Sequence, residues 1–159
     1  MTELEKEVIE VVLAYTEAKT VWENAMMFKK LESTPEKMEQ KPYDYFKGFD
    51  MKQYTGLTRE EISAKYESFF SQYTTPKKRV YGGGPSASFG FPGKYQGLSV
   101  DDILEIGFVN EKRCEVICKI PSGFKQTLKF IVLKKQSGWL LDSVKSYSKS
   151  DDKWSNSIL

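Results

Sequence analysis

Phe124-Lys-Gln-Thr-Leu-Lys-Phe-Ile-Val-Leu-Lys-Lys-Gln-Ser-Gly-Trp-Leu-Leu-Asp-Ser-Val-Lys-Ser-Tyr147 is the stretch that decides the fold. Side chains alternate along a strand with period two, so Leu128, Phe130 and Val132 share one face while Lys129, Ile131 and Leu133 share the other. Lys134 to Gly138 reads as the turn, and Trp139 opens a second apolar strand. No acid, base or nucleophile stands in this hairpin in a catalytic pattern.

Upstream of it the chain continues as strands. Val100 to Val109 pairs through Asn110-Glu111-Lys112 with Arg113 to Ile120, and Pro121-Ser122-Gly123 turns into the long hairpin. Ser99-Val-Asp-Asp102 also fits the cap of a helical turn, which leaves the start of the first strand open. Asp151 to Leu159 reads as a polar tail with one anchor, Trp154. The expectation is a four-stranded antiparallel meander.

Helices come first. Thr2 with Glu5 has the spacing of a capping box, and Leu4, Val8, Val11, Tyr15, Ala18, Trp22 and Ala25 follow at steps of four and three, predicting a helix from Glu3 to Leu31. Acidic residues crowd its start, and Lys29 and Lys30 its end, as a helix dipole favours. Thr34 and Pro35 restart a short second helix through Met38, limited by Pro42, and Tyr43 to Phe49 reads as an aromatic cover for the core edge. Thr58 with Glu61 repeats the capping box, and Ile62, Tyr66, Phe69, Phe70 and Tyr73 form the apolar stripe of a third helix ending near Tyr73. Helices segregated from strands indicate an α+β class, with helices packed on one face of a curved sheet.

Composition bounds the function. A chain of 159 residues suits one domain, 1–159. The formal charge of +2 gives no long-range pull toward nucleic acid or anionic lipid. The acidic start lacks the apolar core of a secretory signal, and no apolar run approaches the ~20 residues of a membrane span, so a cytoplasmic protein is expected. With no histidine, the commonest metal ligand and neutral-pH base is missing, and neither a metal nor another cofactor is expected. Cys114 and Cys118 lie four strand residues apart, about 13 Å, too far for the ~7 Å Cα limit of a disulfide. They read as separate thiols on one face of the sheet, small buried apolar side chains with no His beside them to activate either.

Three constellations are candidates for chemistry or binding. Gly82-Gly83-Gly84 suggests a phosphate cradle, yet it lacks the Gly-Lys-Ser/Thr ending and the strand-to-helix setting of a P-loop, so a flexible turn is the better reading. Lys77-Lys78-Arg79 and Tyr81, with Phe89, Phe91, Lys94 and Tyr95 downstream, mix charge and ring faces. That mixture suits single-stranded nucleic acid, a protein interface, or a solvated loop beside half-buried aromatics. Among the carboxylates, Asp142 and Glu105 are the best placed to face a cavity under a curved sheet, where a raised pKa would make a base.

The order of elements, with Phe130-Ile-Val-Leu-Lys-Lys-Gln-Ser-Gly-Trp-Leu-Leu-Asp-Ser-Val, resembles the NTF2-like cone. Within that superfamily the chain most resembles the NTF2-fold immunity proteins of bacterial polymorphic toxin systems, particularly those beside Rhs-type toxins. The closer likeness lies in Phe69 through Arg79, especially Tyr73-Thr-Thr-Pro-Lys-Lys-Arg79, in Ser86-Ala-Ser-Phe89 and Pro92 to Tyr95, and in Gly138-Trp-Leu-Leu-Asp142 and Lys153-Trp154. The resemblance implies a cytoplasmic bacterial protein, without catalysis or cofactor, that binds a cognate toxin domain in a stoichiometric complex. No nucleic acid or membrane partner is expected, and a homodimer is left open. Lys77, Lys78, Arg79, Tyr81, Phe89, Phe91 and Tyr95 are the expected partner-binding residues. The rival readings are an isomerase, cyclase or dehydratase using the cone cavity with Asp142 or Glu105 as base, and a transport-factor-like dimer binding through its open sheet face.

Overall fold

The computed structural model of the chain describes residues 1–32, 58–79 and 93–159. The expected short helix after Ser33, the aromatic stretch 43–49, the glycine triplet 82–84, and Tyr81, Phe89 and Phe91 lie outside the described residues.

Helix α1 spans Glu3–Glu32 and α2 spans Arg59–Tyr73. Both start as their sequences direct. Thr2 N–H donates to Glu5 Oε2 at 2.7 Å while Glu5 N–H donates to Thr2 Oγ1 at 3.1 Å, a closed capping box. At α2, Thr58 Oγ1 accepts from Glu61 N–H at 3.2 Å.

Among the described residues the sheet has five antiparallel strands in sequence order: β1 Ile103–Asn110, β2 Arg113–Lys119, β3 Thr127–Lys135, β4 Gly138–Ser148 and β5 Lys153–Ser157. A 3-10 turn, Val100–Asp102, precedes β1, with Ser99 and Asp102 closing a capping box. The helical reading of Ser99 to Asp102 therefore holds, and the first strand starts only at Ile103. The β3–β4 turn is also tighter than expected, since only Gln136 and Ser137 separate the strands and Gly138 takes a φ of +115°.

The fifth strand was expected as a polar tail. Lys153–Ser157 has no apolar alternation to betray it, and is held instead by backbone pairing to β4, from Val144↔Ser157 to Ser148↔Lys153. Trp154 packs at 5.4 Å from the Tyr147 ring, with Lys129 Nζ 4.5 Å from the Trp154 ring centre.

The core lies between the helices and one face of the sheet. Cys114, Val116 and Cys118 of β2, Leu128, Phe130 and Val132 of β3, and Trp139, Leu141 and Val144 of β4 are all buried there. Burial pushes the Cys114 thiol up to about 11 and the Cys118 thiol up to about 12, and both cysteines are free. The helices meet this face with Val8, Val12, Tyr15, Trp22 and Met26 from α1, and Ile62, Tyr66 and Phe70 from α2. The α1 stripe is rotated from the expected one. Leu4 is exposed and Val11 and Ala18 only half-buried, while Lys19 takes the buried position between Tyr15 and Trp22.

Phe130 sits at the centre, 0% exposed and 5.6 Å from the Tyr95 ring. Phe130→Ala is expected to cost about 3–5 kcal/mol, read as a lower urea midpoint at unchanged slope. Phe124→Ala, at a site 97% exposed, should stay within about 0.5 kcal/mol of the parent. Equal losses from both substitutions would contradict this core.

Candidate partner-binding surface

The chain leaves α2 through Thr74, whose N–H and hydroxyl both donate to the Phe70 carbonyl, at 3.1 and 2.8 Å. Thr74 bridges to Leu141, and Thr75 N–H donates to the Leu141 carbonyl at 2.8 Å. These residues occupy the edge of β4 that β5 covers further along, from Val144 to Ser148.

At that point β4 carries a bulge. Ile131 pairs with Ser143 and Val132 with Leu141, so Asp142 is opposite no residue of β3. A bulge re-aims the side chain it releases. The Asp142 carboxylate accepts from Thr75 Oγ1 and from Lys77 Nζ, each at 2.8 Å, and the Asp142 carbonyl accepts from the Arg79 guanidinium. Arg79 also donates to the Thr75 carbonyl at 3.1 Å and to Thr75 Oγ1 at 3.2 Å, with its guanidinium carbon 5.2 Å from the Phe70 ring centre. The segment from Thr75 to Arg79 is thereby clasped to the sheet.

The clasp settles the electrostatics. Burial alone would raise the Asp142 carboxyl, but the hydrogen bonds from Lys77 and Thr75 and the charges of Lys77 and Arg79 outweigh it and hold the group below its ordinary value of 3.8. A general base needs the opposite shift. Glu105, the other carboxylate considered for that role, is exposed on the edge strand β1.

The clasped segment stands as a ridge between two depressions. An open groove of about 980 Å³ lies on one side, bounded by the end of α2 and by Lys135, Gln136 and Ser137 at the β3–β4 turn. On the other side a hollow of about 350 Å³ runs past Ser143 and Val144 to Asn156, Ser157 and Leu159. Four cations, Lys77, Lys78, Arg79 and Lys135, and two carboxylates, Glu67 and Asp142, line the larger groove.

The residues expected to bind a partner thus divide. Lys77 and Arg79 are engaged with Asp142, and Lys78 is exposed on the ridge. Tyr95 is only 1% exposed, with its ring 6.1 Å from Tyr15 and 5.6 Å from Phe130, and belongs to the core rather than to the surface. Lys135 was not singled out in the sequence. Only the pairing of β3 with β4 brings it opposite the ridge.

A curved antiparallel sheet with helices packed on one face is the α+β architecture of an NTF2-like cone. The family model for NTF2 fold immunity proteins matches residues 23–157, most of the chain. The chain belongs to that family. It is also similar to immunity protein RhsIA of Dickeya dadantii (strain 3937), 28% identical over 116 residues that cover 73% of this chain and 81% of that protein. No solved structure matches. Among the described residues, no group of three or more His, Cys, Asp or Glu is gathered to hold a metal, and no helix is long and apolar enough to cross a membrane.

Asp142→Asn should remove about 1–2 kcal/mol, the modest end for charge-assisted hydrogen bonds because the ridge is partly solvated. A carboxyl depressed by folding stabilises fully above its unfolded pKa, and the benefit is lost as pH falls through the lower folded value. The parent's advantage over Asp142→Asn is therefore expected at pH 7 and should fade below 3.8, measured by urea unfolding at several pH values. An advantage that persists unchanged at pH 2 would disprove the charge assignment.

Proposed function

We propose that this immunity protein works in the cytoplasm as a single NTF2-like domain, neutralising a cognate toxin domain by stoichiometric binding rather than by catalysis. The docking surface in this reading is the ridge Lys77–Arg79 with the larger groove beside it. Tyr81, Phe89 and Phe91 follow the ridge in sequence and join the proposed surface. Tyr95 does not, since it is buried.

One observation carries the reading. Lys78 and Lys135 are exposed on opposite sides of the groove, and neither has a carboxylate partner among the described residues. Their neighbours Lys77 and Arg79 are already matched by Asp142. The surplus charge complements an acidic segment on a partner, and such complementarity steers encounter and selects partners more than it adds raw affinity. The depressed Asp142 carboxyl supports the non-catalytic side of the proposal.

Lys78→Glu combined with Lys135→Glu tests the site against the toxin domain encoded beside the gene. Affinity should fall about tenfold or more, chiefly through the association rate and with weaker salt dependence, at an unchanged melting temperature. Unaltered affinity and unaltered protection of toxin-expressing cells would refute the assignment. Arg79→Ala is a poorer probe, because losing its bonds to Asp142 and Thr75 disturbs the ridge itself.

A further inference from the structure

The opposite edge of the sheet is built unlike the ridge. β1 ends the strand order, and among the described residues no strand pairs with its other side. Its pairing with β2 slips twice. Ile103 and Glu105 lie opposite Cys118 and Ile117, and Phe108 and Asn110 opposite Cys114 and Arg113, so Leu104 and Val109 are opposite no residue. A bulge re-aims its extra side chain. Leu104 is 61% and Val109 59% exposed, and Val100 and Phe108 add further exposed hydrocarbon along the same strand and its lead-in.

Charge and one glycine narrow what such an edge can receive. From Ser99 to Lys112 four carboxylates, Asp101, Asp102, Glu105 and Glu111, face the single cation Lys112, in a chain whose formal charge is +2. Asp101, Glu105 and Glu111 have no ion-pair partner among the described residues. Charges on an edge strand ordinarily keep it from pairing with other chains. Here they alternate with exposed hydrocarbon, which protection alone does not explain. An edge of one sign repels a second copy of itself and attracts a cationic segment. Gly107 stands between the bulges on the outer face with Glu105, the two lying opposite Glu115 and Ile117 of β2. Its φ is not left-handed, and an added Cβ would meet nothing within 4 Å among the described residues, so neither backbone nor internal packing calls for glycine. Glycine inside a strand weakens it and often marks the close approach of another backbone or ligand.

We propose that β1 is a second contact for the toxin domain and takes a cationic, apolar strand of that partner by edge pairing, with a cation beside Glu105, a large side chain over Gly107, and hydrocarbon against Leu104 and Val109. Edge strands receive extended segments in this way, main-chain hydrogen bonds supplying affinity and alternate side chains supplying selection. The proposal rests on the immunity reading. The two contacts are neighbours, since Lys134 N–H donates to the Lys112 carbonyl at 2.9 Å and holds the β1–β2 turn against the end of β3 that carries Lys135, a wall of the groove. They differ in sign. The ridge suits acidic groups and β1 basic ones, so a partner surface of uniform charge satisfies only one of them, which sharpens selection.

Gly107→Val separates the fold from the contact. Valine suits a strand and its Cβ has room, so the melting temperature should hold or rise, while affinity for the toxin domain encoded beside the gene should fall about tenfold or more. Glu105→Lys should slow association several-fold, and the amides from Glu105 to Val109 should exchange more slowly in the complex than in the free chain. Affinity indifferent to both substitutions, or exchange unchanged on binding, overturns the edge contact; the ridge still stands if Lys78→Glu with Lys135→Glu weakens binding. A melting temperature lowered by Gly107→Val means that the position is covered within the chain, and a dimer of the free protein that Gly107→Val dissociates means that a second copy covers it. Either result overturns the proposal. A parent chain that does not bind the toxin removes the immunity reading, and this contact with it.

Discussion

β4 carries one residue more than β3 can match, and the surface of the molecule is organised around that surplus. Phe130 and Val132 are two residues apart on β3, but their partners Val144 and Leu141 are three apart on β4. Without the bulge, the phase set by Trp139 and Leu141 would turn Ser143 inward and Val144 out. With it, Leu141 and Val144 both stay buried, and Asp142 is expelled toward the end of α2. One local irregularity thus preserves the core, helps to bend the sheet, and supplies the carboxylate to which the ridge is fastened.

The ridge shows how adjacent residues of like charge come to differ in role. Lys77 and Arg79 point back to Asp142 and Thr75, so they hold the backbone in place. Lys78 lies between them and is turned to solvent. A partner meets a cation whose backbone is fixed on both sides, which lowers the entropy lost when a contact forms. The structural pair and the exposed residue are therefore parts of one device.

Much of the fold was legible because its determinants are local. The alternation through Leu128, Phe130 and Val132, the capping box of Thr2 with Glu5, the cap at Thr58, and the placing of Cys114 and Cys118 on one face depend on periods and spacings that sequence displays directly. The features that were missed depend on partners distant in sequence. β5 forms because the edge of β4 offers backbone groups, a reason that Lys153–Ser157 does not carry in its own composition. Tyr95 follows a Gly- and Pro-rich stretch that reads as surface, yet the Phe130 and Tyr15 rings enclose it. The three-residue step from Leu141 to Val144 breaks the period of two and accompanies the bulge, but nothing in it reveals that Thr75 and Lys77 meet Asp142.

Lys19 marks the limit of hydrophobic periodicity as a guide. The stripe Val8, Val12, Tyr15, Lys19, Trp22, Met26 has regular helical steps, but a polar residue at its centre makes the neighbouring line through Val11 and Ala18 look better on composition alone. Helix rotation is set by the fit of the whole apolar face, and a single buried polar side chain is accepted when it finds hydrogen-bond partners. Here the ring faces of Tyr66 and Tyr95 and the backbone oxygen of Leu159, which also accepts from the Tyr66 phenol, surround the ammonium. A hydrocarbon at position 19 would pack against the same rings without paying for desolvation, so stability alone gives no reason for a lysine there.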